Sequence, residues 1–590
     1  MLVRNIKHFP KALLWLLVGP WLVACGAAPL APEQSAPEQS PEQSPPTTVT
    51  TQQVMPEPAE PTTDLSPELL FRLMLAEIAG QRGHIGVAVK QYLAAAEDSM
   101  DPKVIERATR IAVYARDNDS ALKAASLWTE VEPDSIEAHQ VAAAMYVRMG
   151  NTEQAHQHLE RVVELGDSGN RNTFMLITSL LGKERDKQTA LRAMSQLVAN
   201  RQDNPDALYA YAQLAVLVGE LDTASSAVQR AISLRPDWAD AHILYSNTLY
   251  RQGKKVQAMT DLEKAVNRYP ANLVLRDYYA RRLVDEKRYE EARDQFEELL
   301  VHAPNNAEAQ YALGLLALQT RDLDASAKVF KKLVKQGKRV HEASYYLGQI
   351  AEQKEQTKEA MRWYSLVTNG QYKVDAQIRM AIIESQAGDL AQARERLSNL
   401  EPENAEMEQR LILAEGEILR EAKLYQEAFD LFSEGLARLP GNVGLLYARA
   451  LTAEKIERVD VTFSDLEQII KLEPNNAQAL NAYGYTLVDR TDRTQEGMQH
   501  IQKAYQIQPD DPAIMDSMGW AHYRLGNHQE ALKYLRMAFA KLKDSEIAAH
   551  LGEVLWVLGD EDEARSIWEE ALRETPSHKL LLDVIKRFTK

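Results

Sequence analysis

Few side chains in this chain have the residue types and spacing that covalent or acid–base chemistry requires. Cys25 is the only cysteine among the 590 residues, so its sulfur is the only strong nucleophile of that kind. The thirteen histidines are scattered, and His156 and His158 are too close in sequence to share one helix face. Because no HExxH motif accompanies them, the sequence predicts surface histidines and no metal site.

Catalytic motifs are also missing. Neighbouring carboxylates such as Glu290–Glu291 and Glu569–Glu570 stand beside apolar helix positions, which is typical of solvated helix faces. The chain has no GxxxxGK sequence, no strand-borne GxGxxG turn and no GxSxG elbow that would present a nucleophilic serine. We therefore predict no catalytic residue, no cofactor and no enzymatic activity.

The residues before Cys25 indicate the chemistry of its thiol. The basic residues Arg4, Lys7 and Lys11 come first without any acidic residue, and the apolar run ALLWLLVGPWLVA follows them. This run has the length of the hydrophobic region of a signal peptide and is too short to span a bilayer as a stable helix. The sequence therefore predicts a signal peptide over residues 1–24.

Residues 22–25, Leu-Val-Ala-Cys, resemble the lipobox of bacterial lipoproteins. The resemblance implies cleavage between Ala24 and Cys25, diacylglycerol on the Cys25 sulfur and acylation of the new amino terminus, which together make a firm membrane anchor. Gly26, rather than aspartate, follows the cysteine and favours the outer membrane, with the protein facing the periplasm. The alternatives are an ordinary secretory peptide with an incidental cysteine, and a membrane anchor that is never cut.

A low-complexity stretch follows the cysteine. Residues 31–46 read APEQSAPEQSPEQSPP and are nearly free of apolar side chains, so they cannot bury enough surface to offset chain entropy. We predict that residues 25–65 are a lipidated cysteine followed by a disordered linker. With so much proline, this linker is expected to extend on the order of 100 Å from the membrane.

The charge of the chain restricts its partners. The formal net charge is −17, and loss of the three basic residues of the signal peptide makes it −20. A chain this acidic is a poor candidate for nucleic acid or for an anionic membrane surface, so we predict no nucleic-acid partner. Acylation of Cys25 leaves no thiol, and the chain therefore forms no disulfide.

From residue 66 onward the sequence repeats with a period of 34 residues. A small residue recurs every 34 positions at Ala212, Ser246, Ala280, Gly314 and Gly348. A second small residue follows each of them twelve positions later, at Ala224, Ala258, Ala292, Ser326 and Ala360. Prolines recur at multiples of 34 residues, at Pro236, Pro270, Pro304, Pro440 and Pro474. In residues 206–236, two apolar helical stretches flank Gly219. Each period therefore predicts two antiparallel helices that approach closely at the small residues.

These positions resemble the pattern of the tetratricopeptide repeat family. The C-terminal unit carries the whole pattern: Gly552, Leu555, Gly559, Ala564, Trp568, Ala571, Pro576. About fifteen units fit between residues 66 and 576, and those centred on residues 112, 178, 381 and 450 are degenerate. The resemblance implies an all-α, right-handed superhelical solenoid of helix–turn–helix repeats, each burying the apolar face of its neighbour. Residues 577–590 are predicted to form a helix that caps the last unit.

In this family, partners usually lie along the surface made by the first helices of the repeats. Positions three before, one after and four after the central small residue share that surface. The partner-binding candidates at these positions are Asn247, Tyr250, Arg281, Tyr345, Tyr485, Asp516, Trp520, Tyr523, Glu553 and Trp556. Aromatic residues with polar neighbours are typical of interface hot spots. For Trp520 and Trp556, packing between adjacent helices is an equally open interpretation.

The whole architecture resembles one class of bacterial lipoprotein. A lipobox, a Pro/Glu/Gln/Ser linker and repeats along the remaining chain are similar to the lipoprotein adaptors of periplasmic carboxyl-terminal processing proteases in pseudomonad-type bacteria. That resemblance implies a periplasmic serine protease as one partner and peptidoglycan cross-link hydrolases as clients delivered for degradation. The alternatives are a repeat lipoprotein of an exopolysaccharide export complex or another envelope assembly, and an enzyme whose site the motifs do not reveal.

Overall fold

The computed structural model describes residues 66–166 and 171–589, which form thirty-one α-helices and no β-strand. The predicted cleavage at Ala24, the lipidation of Cys25 and the linker up to residue 65 lie outside the described residues. Within the described ranges, no helix has both the length and the apolar composition needed to cross a membrane. The chain divides into two compact units, here residues 66–316 and 317–589, and the boundary falls within one helix.

The first unit is a succession of helices of thirteen to fifteen residues joined by short turns. Its helices are α1 Pro67–Gln81, α2 Ile85–Ser99, α3 Pro102–Ala115, α4 Asn118–Val131, α5 Ile136–Arg148, α6 Thr152–Leu165, α7 Arg171–Lys183, α8 Lys187–Ala199, α9 Pro205–Val218, α10 Leu221–Leu234, α11 Ala239–Arg251, α12 Lys255–Arg268, α13 Leu273–Asp285, α14 Tyr289–His302 and the boundary helix α15 Ala307–Gln319. From α1 to α14, each odd-numbered helix packs against the even-numbered helix that follows it.

The second unit continues the same succession. Its helices are α16 Leu323–Lys335, α17 Val340–Gln353, α18 Thr357–Ser365, α19 Lys373–Gln386, α20 Leu390–Ser398, α21 Ala405–Glu421, α22 Tyr425–Arg438, α23 Val443–Lys455, α24 Val459–Leu472, α25 Ala477–Arg490, α26 Thr494–Ile507, α27 Pro512–Arg524, α28 His528–Lys541, α29 Ser545–Leu558, α30 Glu561–Glu574 and α31 Lys579–Phe588. From α17 to α30 the helices again pair in sequence order. The prediction of an all-helical repeat fold is confirmed.

Small residues let the two helices of a repeat approach closely. Gly416 of α21 faces the ring of Phe432, and Gly552 of α29 faces Trp568, the partner lying sixteen residues later in each case. Both rings are almost fully buried and fill the space that a side chain on the glycine would need. The repeated small residue is therefore a packing requirement, and the core runs between the paired helices.

The turn between the two helices of a repeat requires a left-handed backbone. Gly559, which joins α29 to α30, has a φ of 93°, and it bonds through its N–H to a carbonyl of the preceding helix. The equivalent position between α21 and α22 is Lys423, with a φ of 61°. The same turn therefore forms without glycine, although a side chain there adopts an unfavourable conformation.

The last helix, α31, lies against α29 at the C-terminal end of the second unit. Leu581 and Val584 are buried there, and Ile585 and Phe588 pack partly against the same core. Leu580 of the same helix is 37% exposed. Two buried and two half-buried side chains are thus enough to cover the apolar end of the last repeat.

Candidate functional site

The candidates in the C-terminal repeats lie on three successive first helices, α25, α27 and α29. The side chain of Asp511 accepts hydrogen bonds from the N–H groups of Ala513 and Ile514, and Pro512 occupies the first position of α27. Asp544 caps α29 in the same way, through the N–H of Glu546. These caps fix where α27 and α29 begin.

An ion pair joins α27 to α29 at the centre of this surface. The Nδ1–H of His550 donates to the carboxylate of Asp516, with both oxygens at 3.0 Å, and both side chains are almost fully buried. Burial alone would lower the pKa of His550, but the Asp516 carboxylate, together with Glu546 and Glu553, raises it to about 9. His550 is therefore an imidazolium at neutral pH.

Trp520 covers this ion pair. Its ring stacks on the His550 ring with centroids 4.2 Å apart and lies 5.2 Å from the ring of Tyr523. Trp520 is 8% exposed, and its indole Nε1–H has no acceptor among the described residues. Stacking on an imidazolium is favourable for an indole ring, so Trp520 has a structural role whether or not it touches a partner.

The remaining C-terminal candidates have partners within the chain. Glu553 accepts a hydrogen bond from the Tyr523 hydroxyl at 3.1 Å and pairs with Arg587 of α31 at 2.7 Å. The ring of Trp556 is half-buried and stacks on Trp568 at 5.6 Å. A charge that is already paired contributes less to a new interface than an unpaired one, so Glu553 is the weakest candidate of this group.

Tyr485 connects two repeats that are not adjacent. Its hydroxyl donates to Glu546 Oε1 at 3.2 Å, from α25 to α29 across α27, and its ring lies 6.3 Å from that of His550. The structure therefore brings Tyr485, Asp516, Trp520 and Tyr523 into one cluster around His550.

The candidates from earlier repeats form separate groups. In the first unit, Asn247 Oδ1 accepts hydrogen bonds from the Tyr278 hydroxyl at 2.8 Å and from Arg282 at 2.9 Å, and the same guanidinium lies 5.1 Å from the Tyr250 ring centroid. Arg281 pairs with Asp277 at 2.7 Å. In the second unit, Tyr345 is buried and stacks on Tyr372 at 4.5 Å. A role in partner binding stays a prediction for all ten residues.

The sequence interpretation missed residues that complete these groups. His550 and Arg587 lie 34 residues after Asp516 and Glu553, and each pair is in direct contact. Residues separated by one repeat occupy the same position on neighbouring first helices, so opposite charges at that spacing predict an ion pair. The 34-residue spacing of opposite charges would therefore have predicted both the Asp516–His550 and the Glu553–Arg587 contact.

Histidines also meet in the first unit, where His158 of α6 lies against His139 of α5. Their Nδ1 atoms are 2.9 Å apart, and His139 Nε2–H donates to the Pro133 carbonyl at 3.0 Å. The Nδ1–H of His158 therefore donates to the bare Nδ1 of His139. Burial, reinforced by His139, lowers the pKa of His158 to about 4. In the described residues no group of three or more His, Cys, Asp or Glu side chains is arranged to hold a metal ion.

We expect acid to destabilise this helix pair. His158 binds a proton at about pH 6.5 when unfolded and at about pH 4 when folded, so its stabilisation is present above pH 6.5 and is lost as the pH falls towards 4. Allowing for the partial exposure of the ring, the loss is about 1 kcal/mol. Urea unfolding of the full chain across this range measures it. His158→Gln should remove that part of the pH dependence, whereas an identical dependence in the variant would contradict the assignment.

Comparison with known proteins places the chain among repeat proteins. One family model described as tetratricopeptide repeat matches residues 280–339, 316–372 and 517–579, and a second such model matches residues 240–272. In solved structures, a thermophilic TPR protein of Thermus thermophilus matches with 21% identity and a TM-score of 0.28, over 31% of this chain and 97% of that one. A chain of the APC/C hetero-tetramer Cut9–Hcn1 matches with 13% identity and a TM-score of 0.32, over 89% and 97%.

Two curated proteins are similar in sequence. Bacteriophage adsorption protein A of Escherichia coli is 29% identical over 104 residues, which are 18% of this chain and 10% of that protein. A TPR repeat-containing protein of Pseudomonas aeruginosa is 40% identical over 491 residues, which are 83% of this chain and 82% of that protein. At that identity and coverage the two proteins share a family, and the chain belongs to the TPR repeat-containing proteins.

Proposed function

We propose that this protein is a lipid-anchored adaptor of the bacterial outer membrane. Facing the periplasm, it binds a carboxyl-terminal processing protease and delivers peptidoglycan cross-link hydrolases to it for degradation. The observation that carries the binding role is the cluster around His550, where aromatic and charged side chains of three successive repeats meet on the surface that the family uses for partners. The lipobox-like residues 22–25 and the linker up to residue 65 support the anchoring role.

The proposed mechanism is an increase in effective concentration. Repeat proteins offer a long surface on which different segments bind different partners. When one segment holds the protease and another holds a client, the second encounter becomes intramolecular, with an effective concentration in the millimolar range for short spacings. The adaptor then needs no chemistry of its own, because the protease supplies the nucleophile.

Recovery of partners from membranes tests the proposal. The full chain, cross-linked in cells and purified from detergent-solubilised membranes, is expected to bring down a serine protease and cell-wall hydrolases, identified by mass spectrometry. Recovery of an outer-membrane porin and polysaccharide-synthesis proteins would favour the export-complex alternative. Degradation of casein or peptidoglycan by the chain freed of every co-purifying protein would contradict the adaptor role.

Replacing Trp520 and Trp556 together by alanine is expected to weaken partner recovery about tenfold or more, because tryptophan side chains that contact a partner contribute a large share of the binding energy. Quantitative mass spectrometry measures the loss, and far-UV circular dichroism checks that helix content is kept. Trp363→Ala is the matched control, since this half-buried tryptophan lies on α18, a second helix of its repeat. Unchanged recovery in the double variant would assign both rings to packing.

Replacing Cys25 by serine is expected to release the protein from the membrane. A multiply acylated cysteine holds a protein firmly because each buried methylene contributes about 0.8 kcal/mol, whereas serine does not accept the lipid. Fractionation into membrane and periplasm measures the change, and a Ser44→Ala variant in the linker serves as control. Retention of the serine variant in the membrane fraction would mean that the apolar run before residue 25 stays uncut and acts as the anchor.

A further inference from the structure

We propose that a basic surface on α16 binds the anionic phospholipid headgroups of the membrane in which the protein is anchored. The basic surface consists of the lysines on the exposed side of α16 and in the turn after it: Lys328, Lys331, Lys332, Lys335 and Lys338. This inference rests on the lipid anchor of the proposed function, which keeps the chain within reach of a bilayer. It concerns a second helix of a repeat, whereas the cluster around His550 is built from first helices.

Positive charge is concentrated in this part of an acidic chain. Residues 321–340 include seven basic and two acidic side chains, although the formal net charge of the whole chain is −17. The helix α16 has four lysines and one acidic residue, Asp324, and the carboxylate of Asp324 already pairs with Lys354 at 2.5 Å. The positive charge of α16 is therefore not balanced within the helix.

The lysines of α16 share one side of the helix. Phe330 and Leu333 are buried, and the Phe330 ring stacks on Tyr346 of α17 with centroids 5.3 Å apart. All four lysines of α16 are exposed. Three of them follow Lys328 after three, four and seven residues, which is the spacing of neighbours on one helix face. At a rise of 1.5 Å per residue, they form a stripe about 10 Å long.

Three lysines of the basic surface have no charge partner. Lys328, Lys335 and Lys338 form no ion pair with any residue that the structure describes, whereas Lys331 pairs with Glu359 of α18 at 3.3 Å. Ammonium groups that are exposed and unpaired remain available to an anionic partner.

The neighbouring helix α18 adds to the positive charge. The contact of Lys331 with Glu359 places α18 beside α16, and Glu359 is the only acidic residue of α18. Lys358 and Arg362 of α18 are exposed and lie four residues apart, on one face of the helix. The two helices together therefore present a surface with an excess of positive charge.

Closely spaced ammonium groups fit a partner with closely spaced negative charges. The headgroups of anionic phospholipids form such a partner, and each basic residue that reaches them strengthens binding about fivefold. The acidity of the whole chain argues against an anionic membrane surface, but exposed charges more than about 8 Å apart are largely screened at physiological salt. The local charge of α16 and α18 therefore decides the outcome, and that charge is positive.

The chain's own linker is the competing occupant. Residues 26–65 include six acidic residues and no basic one. In an extended proline-rich chain these charges are on average about 20 Å apart, whereas the four lysines of α16 lie within about 10 Å. The linker therefore neutralises one or two lysines at a time, whereas adjacent lipid headgroups neutralise all of them.

Acetylation of lysines by a neutral reagent tests the contact. The mature lipidated chain is reconstituted into vesicles of phosphatidylcholine alone, or of phosphatidylcholine and phosphatidylglycerol in equal amounts, and mass spectrometry measures the labelling rate of each lysine. We expect Lys328, Lys335 and Lys338 to react about tenfold more slowly in the anionic vesicles and to recover at about 1 M salt, where charges are screened beyond about 3 Å. Lys254 and Lys255, exposed at the start of α12, should react equally in both. Equal rates for the basic surface, or equal slowing of all five lysines, would overturn the proposal.

Two variants that change the net charge equally show whether the contact is local. The first replaces the three unpaired lysines by glutamine, and Lys331 and Lys332 should then react equally fast in both kinds of vesicle. The matched control replaces three exposed lysines that are already paired with carboxylates: Lys533, Lys541 and Lys543. It should keep the slow labelling of the basic surface. Slow labelling in the first variant, or its loss in the control, would assign the effect to net charge and overturn the proposal.

One further result would identify the linker as the occupant. The basic surface would then react slowly in both kinds of vesicle, and replacement of Glu33, Glu38 and Glu42 by glutamine would make it react fast. That result overturns binding to lipid.

The outcome is separable from that of the proposed function. A chain that does not co-sediment with phosphatidylcholine vesicles contradicts the lipid anchor, whatever its labelling. A chain that co-sediments and is labelled equally in both kinds of vesicle overturns only the role of the basic surface. A chain with the expected slow labelling that recovers neither the protease nor the hydrolases overturns only the adaptor role.

Discussion

Alanine in place of Gly552 is expected to destabilise the C-terminal repeat, although alanine is the better helix former. A methyl group at this position would lie 2.7 Å from Trp568 Cδ1 and closer still to Nε1 and Cε2. Trp568 is 1% exposed and packed on all sides, so its ring has no free space to occupy. Overpacking of this kind costs about 1–3 kcal/mol, which outweighs the gain of about 1 kcal/mol in helix propensity.

Hydrogen exchange of the full chain, measured by mass spectrometry, shows which helices are destabilised. We expect faster exchange in α29, α30 and α31, with little change beyond α27, because each repeat of a solenoid contacts only its neighbours. Gly86→Ala is the matched control, since nothing lies within 4 Å of a methyl group there, and it should stabilise its helix by up to about 1 kcal/mol. Unchanged or slower exchange in Gly552→Ala would mean that Trp568 has a second position.

The repeat pattern predicted the fold because it records a steric requirement. A small residue such as glycine or alanine in the first helix contacts a large residue sixteen positions later in the second helix, so the two positions of the pattern are the two partners of one contact. One repeat departs from this spacing: Gly484 faces Ile501, seventeen residues later, and the oxygen of Gly497. One additional residue in the turn of this repeat moves the second helix by one position without removing the contact.

The site was less predictable because its contacts cross repeats. The sequence interpretation identified surface positions one helix at a time and treated the histidines as isolated, whereas in the structure Asp516 and Trp520 both contact His550. His550 contacts Asp516 because neighbouring repeats stack on each other. Glu546 contacts Tyr485 across the repeat that lies between them. Contacts at one period follow from the sequence, whereas those at two periods depend on superhelical curvature, which no local pattern specifies.

Removing the charge of Asp516 is expected to change how stability depends on pH in the second unit. His550 has a pKa of about 9 in the folded protein and near 6.5 when unfolded. Its raised pKa therefore stabilises the fold fully below pH 6.5, and this stabilisation is lost as the pH rises through 9. A shift of that size corresponds to about 3 kcal/mol.

In Asp516→Asn, the buried imidazole loses the carboxylate that holds its proton, so its pKa falls and the decline in stability between pH 6.5 and pH 9 should disappear. Below pH 6.5 the variant should be less stable than the wild type by about 3 kcal/mol, because its folded state no longer binds the His550 proton more tightly than the unfolded state does. Urea unfolding of the full chain, followed at several pH values, measures both differences. Asp510→Asn, which removes an exposed carboxylate paired with Lys541, should leave the decline unchanged. If Asp516→Asn keeps the wild-type decline, the proton on His550 is held by Glu546 and Glu553 and not by Asp516.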